Sequence, residues 1–319
     1  MLGIPGYADE HEQDMVAGMS ETGRKALLVV TDQDRRGSTT APFMKALEAG
    51  GITLIQRDFP SLDRLAELIV SMRKEIDCVI LAGGDGMMSA GAIALRDSHL
   101  PLGILPLGPR AELARRLGLP ADPDAAARII LDGHTRSLDL GSVNGRPFFS
   151  AASVGLTIQD SRMLGRATQS RLGWLGFAWR AFRVALHIHR FSCIIRCGVI
   201  VHRVRTIQVT VGNGNIYAGG MAVRPEPETH DPVLDVCSLE VGSRWDLLFM
   251  RDTFSMPDPA DLPEIRIVRS QVVEVVTRLP LPITADGEIV TVTPARFSIL
   301  PEAVQVYTPA PPTMKPEQT

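Results

Sequence analysis

Short apolar runs and amphipathic stretches alternate along the first half of the chain. Ala26–Thr31, Ile52–Gln56, Asp77–Leu81 and Leu102–Leu105 have the length and apolar content of buried strands. The stretches Pro42–Ala49, Leu62–Met72, Met88–Leu95 and Ala111–Leu117 are read as helices. In Leu62–Met72 the apolar residues fall at 62, 65, 68, 69 and 72, which is helical spacing. Strand and helix in strict alternation predict a parallel sheet covered on both faces.

The pattern changes near residue 137. Short strand-like runs now follow one another: Arg136–Leu140, Arg146–Ala151, Ser192–Val199, Thr206–Val211, Val233–Glu240, Glu264–Val268, Val272–Thr277 and Ala303–Tyr307. Asn144-Gly145 and Asp286-Gly287 are turn dipeptides of the kind that close hairpins. The expected fold class is therefore α/β plus β: an N-terminal Rossmann-like three-layer α/β domain, then an antiparallel β-sandwich. The predicted boundaries are a tail over 1–24, an α/β domain over 25–136, a β domain over 137–308 whose last segment is free to pack back on the first domain, and a tail over 309–319. Only one helical segment, about Gly173–His189, interrupts the β region.

Composition narrows this picture. The chain has 319 residues, 45% of them hydrophobic and 22% charged, with a net charge of −3 and a pI of about 6.2. Those values belong to globular proteins and exclude wholesale disorder. The N-terminus lacks a basic and an apolar region, so a secretory signal is not expected. No apolar run reaches the length of about 20 residues that a membrane span needs. Cys78, Cys193, Cys197 and Cys237 form neither a disulfide framework nor a zinc pattern, and are expected to be reduced and mostly buried. His187 and His189 add no zinc spacing. The predicted location is the cytoplasm.

The modest net charge hides an asymmetry. Residues 161–225 contain ten arginines and no Asp, Glu or Lys, so this stretch carries +10 in a chain whose total is −3. Within it, Arg171, Trp174, Trp179, Arg180 and Arg183 combine basic and aromatic residues on a helical repeat. That combination suits an anionic membrane surface. A core-packing helix with solvated arginines is the competing reading. Nucleic acid is not expected as a partner, because no recognition motif accompanies the charge.

Two glycine-bearing loops carry the candidate chemistry. Gly83-Gly84-Asp85-Gly86 lies where a strand ends and a helix begins, a place where backbone N–H groups and a helix N-terminus can meet a phosphate. One unit later, Gly108-Pro109-Arg110-Ala111-Glu112 occupies the equivalent position. Parallel strands bring both loops to the carboxyl edge of the sheet, where open α/β folds bind ligands. On spacing alone, a plain glycine-rich turn remains open for the first loop, and an ordinary Asp-Gly hairpin for Asp286.

Over about residues 25–308 the sequence resembles the diacylglycerol-kinase catalytic-domain superfamily of lipid kinases, which includes sphingosine and ceramide kinases. The resemblance rests on Gly83–Gly86 against the family's GGDGT loop, and on Leu102–Gly118 (LGILPLGPRAELARRLG) against LGILPLGTGNDFARSLG. It also rests on Val211–Glu240 with its VGNG start, on Ala285-Asp286-Gly287-Glu288 against the family's DGE element, and on Thr293–Leu300. The resemblance implies a Mg²⁺-dependent kinase that moves the γ-phosphate of ATP to a lipid hydroxyl. It implies Asp286 as general base with Glu288 beside it, and a nucleotide held by Gly83, Gly84, Asp85, Gly86 and Gly108; Thr31, Met87, Arg110 and Glu112, at the same loops, are expected to line that site. It implies a metal site at Asp231 and Asp235, and Asp85, held in the glycine loop, is expected to reach the phosphate-bound Mg²⁺. The expected partners are a lipid substrate in the bilayer and an anionic membrane surface, with room for a homodimer.

The sequence departs from the family pattern inside the nucleotide loops. The family's Thr is Met87, its second-loop Thr is Pro109, its Asn is Ala111 and its Asp is Glu112. Its first-strand Asn-Pro is Thr31-Asp32, and Arg110 is an added cation. These changes leave a second expectation open, that of a weakened or inactive relative acting as a nucleotide- or lipid-binding regulator. A soluble-substrate kinase related to the NAD kinases would share the GGDG loop but not the basic aromatic segment.

Overall fold

The computed structural model describes residues 23–31, 39–107, 111–156, 178–179, 182–183, 185–186, 189–214, 217–218, 221–222, 232–242 and 264–310. Of the expected tails over 1–24 and 309–319, residues 1–22 and 311–319 lie outside the described residues. Arg24, placed in the first tail by the sequence, instead donates to the Ile130 and Leu131 carbonyls at 3.2 and 3.0 Å.

The first half follows the predicted alternation: β1 (Lys25–Val30), α1 (Thr40–Ala49), β2 (Thr53–Asp58), α2 (Leu62–Met72), β3 (Cys78–Gly83), α3 (Asp85–Ser98), β4 (Leu102–Pro106), α4 (Glu112–Arg116) and α5 (Pro123–Asp132). The four strands are parallel in the order β2-β1-β3-β4. Side chains alternate across them. Leu27, Val29, Val79 and Leu81 pack with Leu65, Ile69 and Met72 of α2 and with Met88, Ala92 and Leu95 of α3. Ala26, Leu28, Ile80 and Ala82 pack with Phe43 and Leu47 of α1 and with Ala126, Ala127 and Ile130 of α5. Both sheet faces are thereby dry, as continuous apolar strands require.

The helix α5 has no counterpart in the sequence reading. Its ends are marked by side-chain and backbone chemistry rather than by a long apolar stripe. Asp122 accepts from the Ala125 N–H at 2.9 Å, Pro123 opens the first turn, and Gly133 closes the helix at φ 77°.

The second half comprises β5 (Thr135–Val143), β6 (Arg146–Phe148), β7 (Ala151–Gly155), β8 (Phe191–Cys197), β9 (Ile200–Thr206), β10 (Gln208–Asn213), β11 (Tyr217–Ala218), β12 (Met221–Ala222), β13 (Leu234–Leu239), β14 (Ile265–Ser270), β15 (Val272–Thr277), β16 (Pro282–Ala285), β17 (Glu288–Val292) and β18 (Ala295–Tyr307). A six-stranded antiparallel sheet runs β14-β13-β10-β7-β16-β17. It buries Ala152, Val154, Val209, Val211 and Val236 against Cys193, Ile195, Val273 and Val275 of the other sheet. The Asn144-Gly145 and Asp286-Gly287 turns each have two positive φ values, 49° and 80° and then 47° and 96°, as tight hairpins demand.

The larger sheet has ten strands and joins the two halves. After β4 the order continues β18-β15-β8-β9, with β18 parallel to β4 through Val306 and Leu102, and antiparallel to β5. The last strand therefore does return to the first domain. The predicted boundary between residues 136 and 137 falls inside β5. Six strands, β7, β9, β11, β12, β16 and β17, are also absent from the sequence reading, apart from single end residues of β7 and β9. In β17 the residues are exposed or half-buried along their whole length, with Ile289 72% exposed, so no alternation announced it.

Candidate active site

The site forms where the carboxyl edge of the parallel sheet meets the β16–β17 turn. At the end of β3, Gly84 caps α3 in an extended conformation, φ −99° and ψ 178°, and Asp85 stands in the first turn. The first N–H groups of a helix have no partners within it, and they favour an anion. A Cβ on Gly84 would meet nothing within 4 Å, so this glycine faces open space. Asp85 Oδ1 accepts from the Leu113 N–H at 3.1 Å, which ties the first glycine loop to α4.

Gly83 and Met87 serve a different purpose from Gly84. The Met87 side chain turns into the core and is 4% exposed. A Cβ on Gly83 would lie 2.6 Å from the Met87 sulfur and 3.0 Å from Thr31 Cγ2. The residue that replaces the family's Thr thus packs on the loop from behind. Thr31 itself directly follows β1, with its N–H on the Ala82 carbonyl at 3.1 Å. Its Oγ1 is buried and has no hydrogen-bond partner among the described residues. Thr31 thus brings a buried hydroxyl to the back of the Gly83–Gly86 loop.

Asp286 supplies the other side. Its carboxylate accepts four hydrogen bonds: on Oδ2 from Ser89 Oγ at 2.5 Å and the Phe149 N–H at 2.7 Å, and on Oδ1 from the N–H groups of Ser150 at 2.9 Å and Ala151 at 3.3 Å. Its own N–H donates to the Ala151 carbonyl at 3.1 Å. Burial pushes its pKa above the ordinary carboxylate value, while the bonds from Ser89, Phe149, Ser150 and Ala151 pull the other way. A carboxylate with a raised pKa is suited to accept a proton near neutral pH. Of its four donors, only the Ser89 hydroxyl sits on a rotatable side chain.

Glu288, one strand residue beyond the turn, is exposed and leans over the glycine loop. A Cβ on Gly86 would lie 3.2 Å from Glu288 Cγ and 3.6 Å from its Oε1. Gly86 and Glu288 are therefore neighbours, and Asp286 is tied to the same helix through Ser89. The carboxylates of Asp85 and Glu288 are hard oxygen donors of the kind Mg²⁺ takes. Among the described residues no group of three or more His, Cys, Asp or Glu is placed to hold a metal.

Asp235 lies on β13 and pairs with Gly212, which pairs with Ala151. It is thus at the same end of the sheet as the Asp286 turn, but its buried carboxylate accepts from Arg269 Nε at 2.9 Å. Asp231, Gly108, Arg110, Arg171, Trp174 and Arg180 lie outside the described residues, as does the Glu112 side chain. The Ala111–Leu117 helix is present as α4.

The sequence reading missed Ser89, Arg116 and Asn213. Arg116 on α4 donates to the Phe149 and Asn213 carbonyls at 3.3 Å each. Asn213 Nδ2 donates to the Asp139 and Phe149 carbonyls at 2.6 and 3.2 Å. These bonds brace the 149–151 backbone that faces Asp286. Ser89 did leave a trace, as the one hydroxyl among the Met, Ala and Gly residues that follow Asp85 in the helix start.

Of the basic aromatic segment, residues 178–179, 182–183 and 185–186 are described, and they are helical. Ala185 is fully buried, whereas Trp179, Phe182 and Leu186 are 64%, 39% and 48% exposed. The Trp179 and Phe182 rings stack at 6.4 Å. Among the described residues no helix is long and apolar enough to cross a membrane.

Comparison with known proteins agrees with this architecture. A family model described as diacylglycerol kinase catalytic domain matches residues 34–143, and one described as YegS C-terminal NAD kinase beta sandwich-like domain matches residues 152–308. A protein of Mycobacterium tuberculosis named diacylglycerol kinase is 30% identical over 259 residues, spanning 76% of this chain and 80% of that protein. A Pseudomonas aeruginosa protein named "Probable lipid kinase YegS-like" is 27% identical over 311 residues, spanning 95% and 91%. The crystal structure of a diacylglycerol kinase from Bacillus anthracis shares the fold, with a TM-score of 0.65 at 19% identity over 91% of this chain and 98% of that one.

Proposed function

The chain belongs to the diacylglycerol-kinase family of lipid kinases, and from that premise we propose that it transfers the γ-phosphoryl group of ATP to the hydroxyl of a membrane lipid, diacylglycerol being the first candidate. The observation that carries this reading is the Asp286 carboxylate, half-buried and tied through Ser89 to the helix that follows the Gly83–Gly86 loop.

Phosphoryl transfer asks a protein mainly to position its reactants and to stabilise charge. The open face at Gly84 and the unpartnered Thr31 hydroxyl are the groups offered to the nucleotide. Asp85 and Glu288 would hold Mg²⁺, which when bound neutralises charge on the phosphates. Ser89 rotates away from Asp286 Oδ2 and frees a lone pair for the lipid hydroxyl. Asp286 then takes the hydroxyl proton. The lipid oxygen forms its bond to the γ-phosphorus, the bond from that phosphorus to the β–γ bridging oxygen breaks, and ADP leaves with the electron pair.

The lipid stays in its bilayer, so the enzyme works at the membrane surface. The exposed Trp179, Phe182 and Leu186, in a region rich in arginine, support that contact. Purified protein given γ-labelled ATP, Mg²⁺ and micellar diacylglycerol, a sphingoid base or ceramide is expected to yield a labelled lipid. Folded protein that binds ATP and labels none of them would favour the regulator reading, which draws on Met87 standing in place of the family's Thr.

A further inference from the structure

We infer that the β8–β9 hairpin tip, Gly198–Val201, is a second membrane contact, inserting apolar side chains into a bilayer whose anionic headgroups meet Arg203 and Arg205. The inference rests on the lipid-kinase reading above for its purpose, and on an independent feature of the surface for its evidence. Cys197 pairs with Ile200, so the loop has two residues, and Gly198 at φ 61° takes the left-handed position that such a loop needs. The other loop residue is Val199, which is 99% exposed. Ile200 and Val201 follow at 53% and 52%. Turn positions usually carry Asn, Asp, Ser or Gly. Three consecutive β-branched apolar residues projecting from a hairpin tip gain nothing in water, and they mark a contact surface.

Charge identifies the partner. The described stretch 189–214 has four arginines and no Asp or Glu. Arg203 and Arg205 stand exposed on β9, on the same face of the strand as Val201. Arg196, opposite Val201, is paired with Glu274 at 3.4 Å. Apolar residues at a tip with arginines behind them match the depth profile of a bilayer interface with acidic lipids. A second copy of this chain fits less well. β9 ends the ten-stranded order, and an edge-to-edge pairing there would set Arg203 and Arg205 against their own counterparts.

The register also gives the tip a useful position. Ser270 pairs with Leu234, and Val273, just beyond the bend that follows it, pairs with Cys197. Leu234 pairs with Asn213, and Ala152, in the next strand, with Ala285. The hairpin tip is therefore at the end of the β domain that carries the Asp286 turn. One orientation on the membrane serves both.

The test is co-sedimentation of the full chain with vesicles of phosphatidylcholine and phosphatidylglycerol, alongside activity on micellar diacylglycerol and sedimentation velocity without lipid. Val199→Asp adds one charge at a side chain with no packing role. It is expected to weaken vesicle binding at least tenfold while micellar activity stays within twofold. Arg203→Gln with Arg205→Gln is expected to weaken binding and remove most of its salt dependence. Unchanged vesicle binding in both variants overturns the inference. So does conversion of a dimer to a monomer by Val199→Asp with vesicle binding intact, which would assign the tip to a second copy. Hairpin-dependent vesicle binding without any lipid phosphorylation would uphold the membrane contact and overturn the kinase reading instead.

Discussion

Ser89 in the second turn of α3 and Asp286 in the β16–β17 turn, 197 positions apart, are joined by a 2.5 Å hydrogen bond. The bond runs from the α/β half of the molecule to the β half. The glycine loop that begins α3 and the carboxylate that faces it are thereby held in one frame. Asp286 is thus more than a turn residue, because its oxygens also collect the Phe149, Ser150 and Ala151 N–H groups.

The first prediction concerns pH. Burial raises the Asp286 pKa, and the Ser89 bond opposes the rise. A base works only when deprotonated, so kcat/KM should fall as pH drops through that raised value, above the usual range of a carboxylate. Ser89→Ala removes an opposing bond and should move this acid limb to higher pH. A limb that stays in place in the variant would separate Ser89 from the titration.

The two neighbouring glycines should respond differently. A methyl on Gly83 collides with the Met87 sulfur and Thr31, so Gly83→Ala should cost about 1–3 kcal/mol of stability. A methyl on Gly84 enters open space, so Gly84→Ala should cost about 1 kcal/mol or less, in keeping with its capping position. The same methyl obstructs the face offered to phosphate, and should raise KM for ATP about tenfold, equivalent to about 1.4 kcal/mol. Chemical denaturation and initial rates on both variants check the contrast.

The Asp235–Arg269 pair is the third test. Asp235 is buried and Arg269 is its partner, so Arg269→Ala leaves a buried carboxylate short of a donor. A loss of about 1–3 kcal/mol is expected, at the modest end for a buried pair because Arg269 is partly exposed. The Mg²⁺ concentration giving half-maximal rate should stay as in wild type if the pair is structural. A large change in it would restore Asp235 to the metal role that the family resemblance implied.

All four cysteines are free and buried, and burial pushes Cys78 up to about 11 and Cys193 and Cys237 up to about 12. The native protein should therefore resist an aromatic disulfide reagent at pH 8. The same protein in denaturant should expose four thiols. Rapid labelling of the native form would contradict the packing described for the two sheets.

Much of this was legible in the sequence for physical reasons. The helix over Leu62–Met72 and the strand over Val272–Thr277 come out at their expected limits, because a single strong periodicity spans each. The two Asx-Gly dipeptides mark hairpins because only such residues take two positive φ values cheaply. By contrast, β17 has no buried face to set a period, and α5 is announced by Asp122, Pro123 and Gly133 rather than by a stripe. In the site, Asp85, Asp286 and Glu288 belonged to recognisable motifs. Ser89, Arg116 and Asn213 act through bonds to backbone or to one carboxylate across the fold, and no local pattern encodes those distances.

The most direct test compares wild type with Asp286→Asn in transfer of label from γ-labelled ATP to diacylglycerol in mixed micelles. Asn keeps the size of Asp286 and tolerates its positive φ of 47°, whereas Ala would strand three backbone N–H groups. The account predicts a labelled lipid from wild type and a loss of at least about 100-fold in kcat from the folded variant, the scale of general-base catalysis. Transfer at the wild-type rate by Asp286→Asn would contradict the assignment of Asp286 as the base.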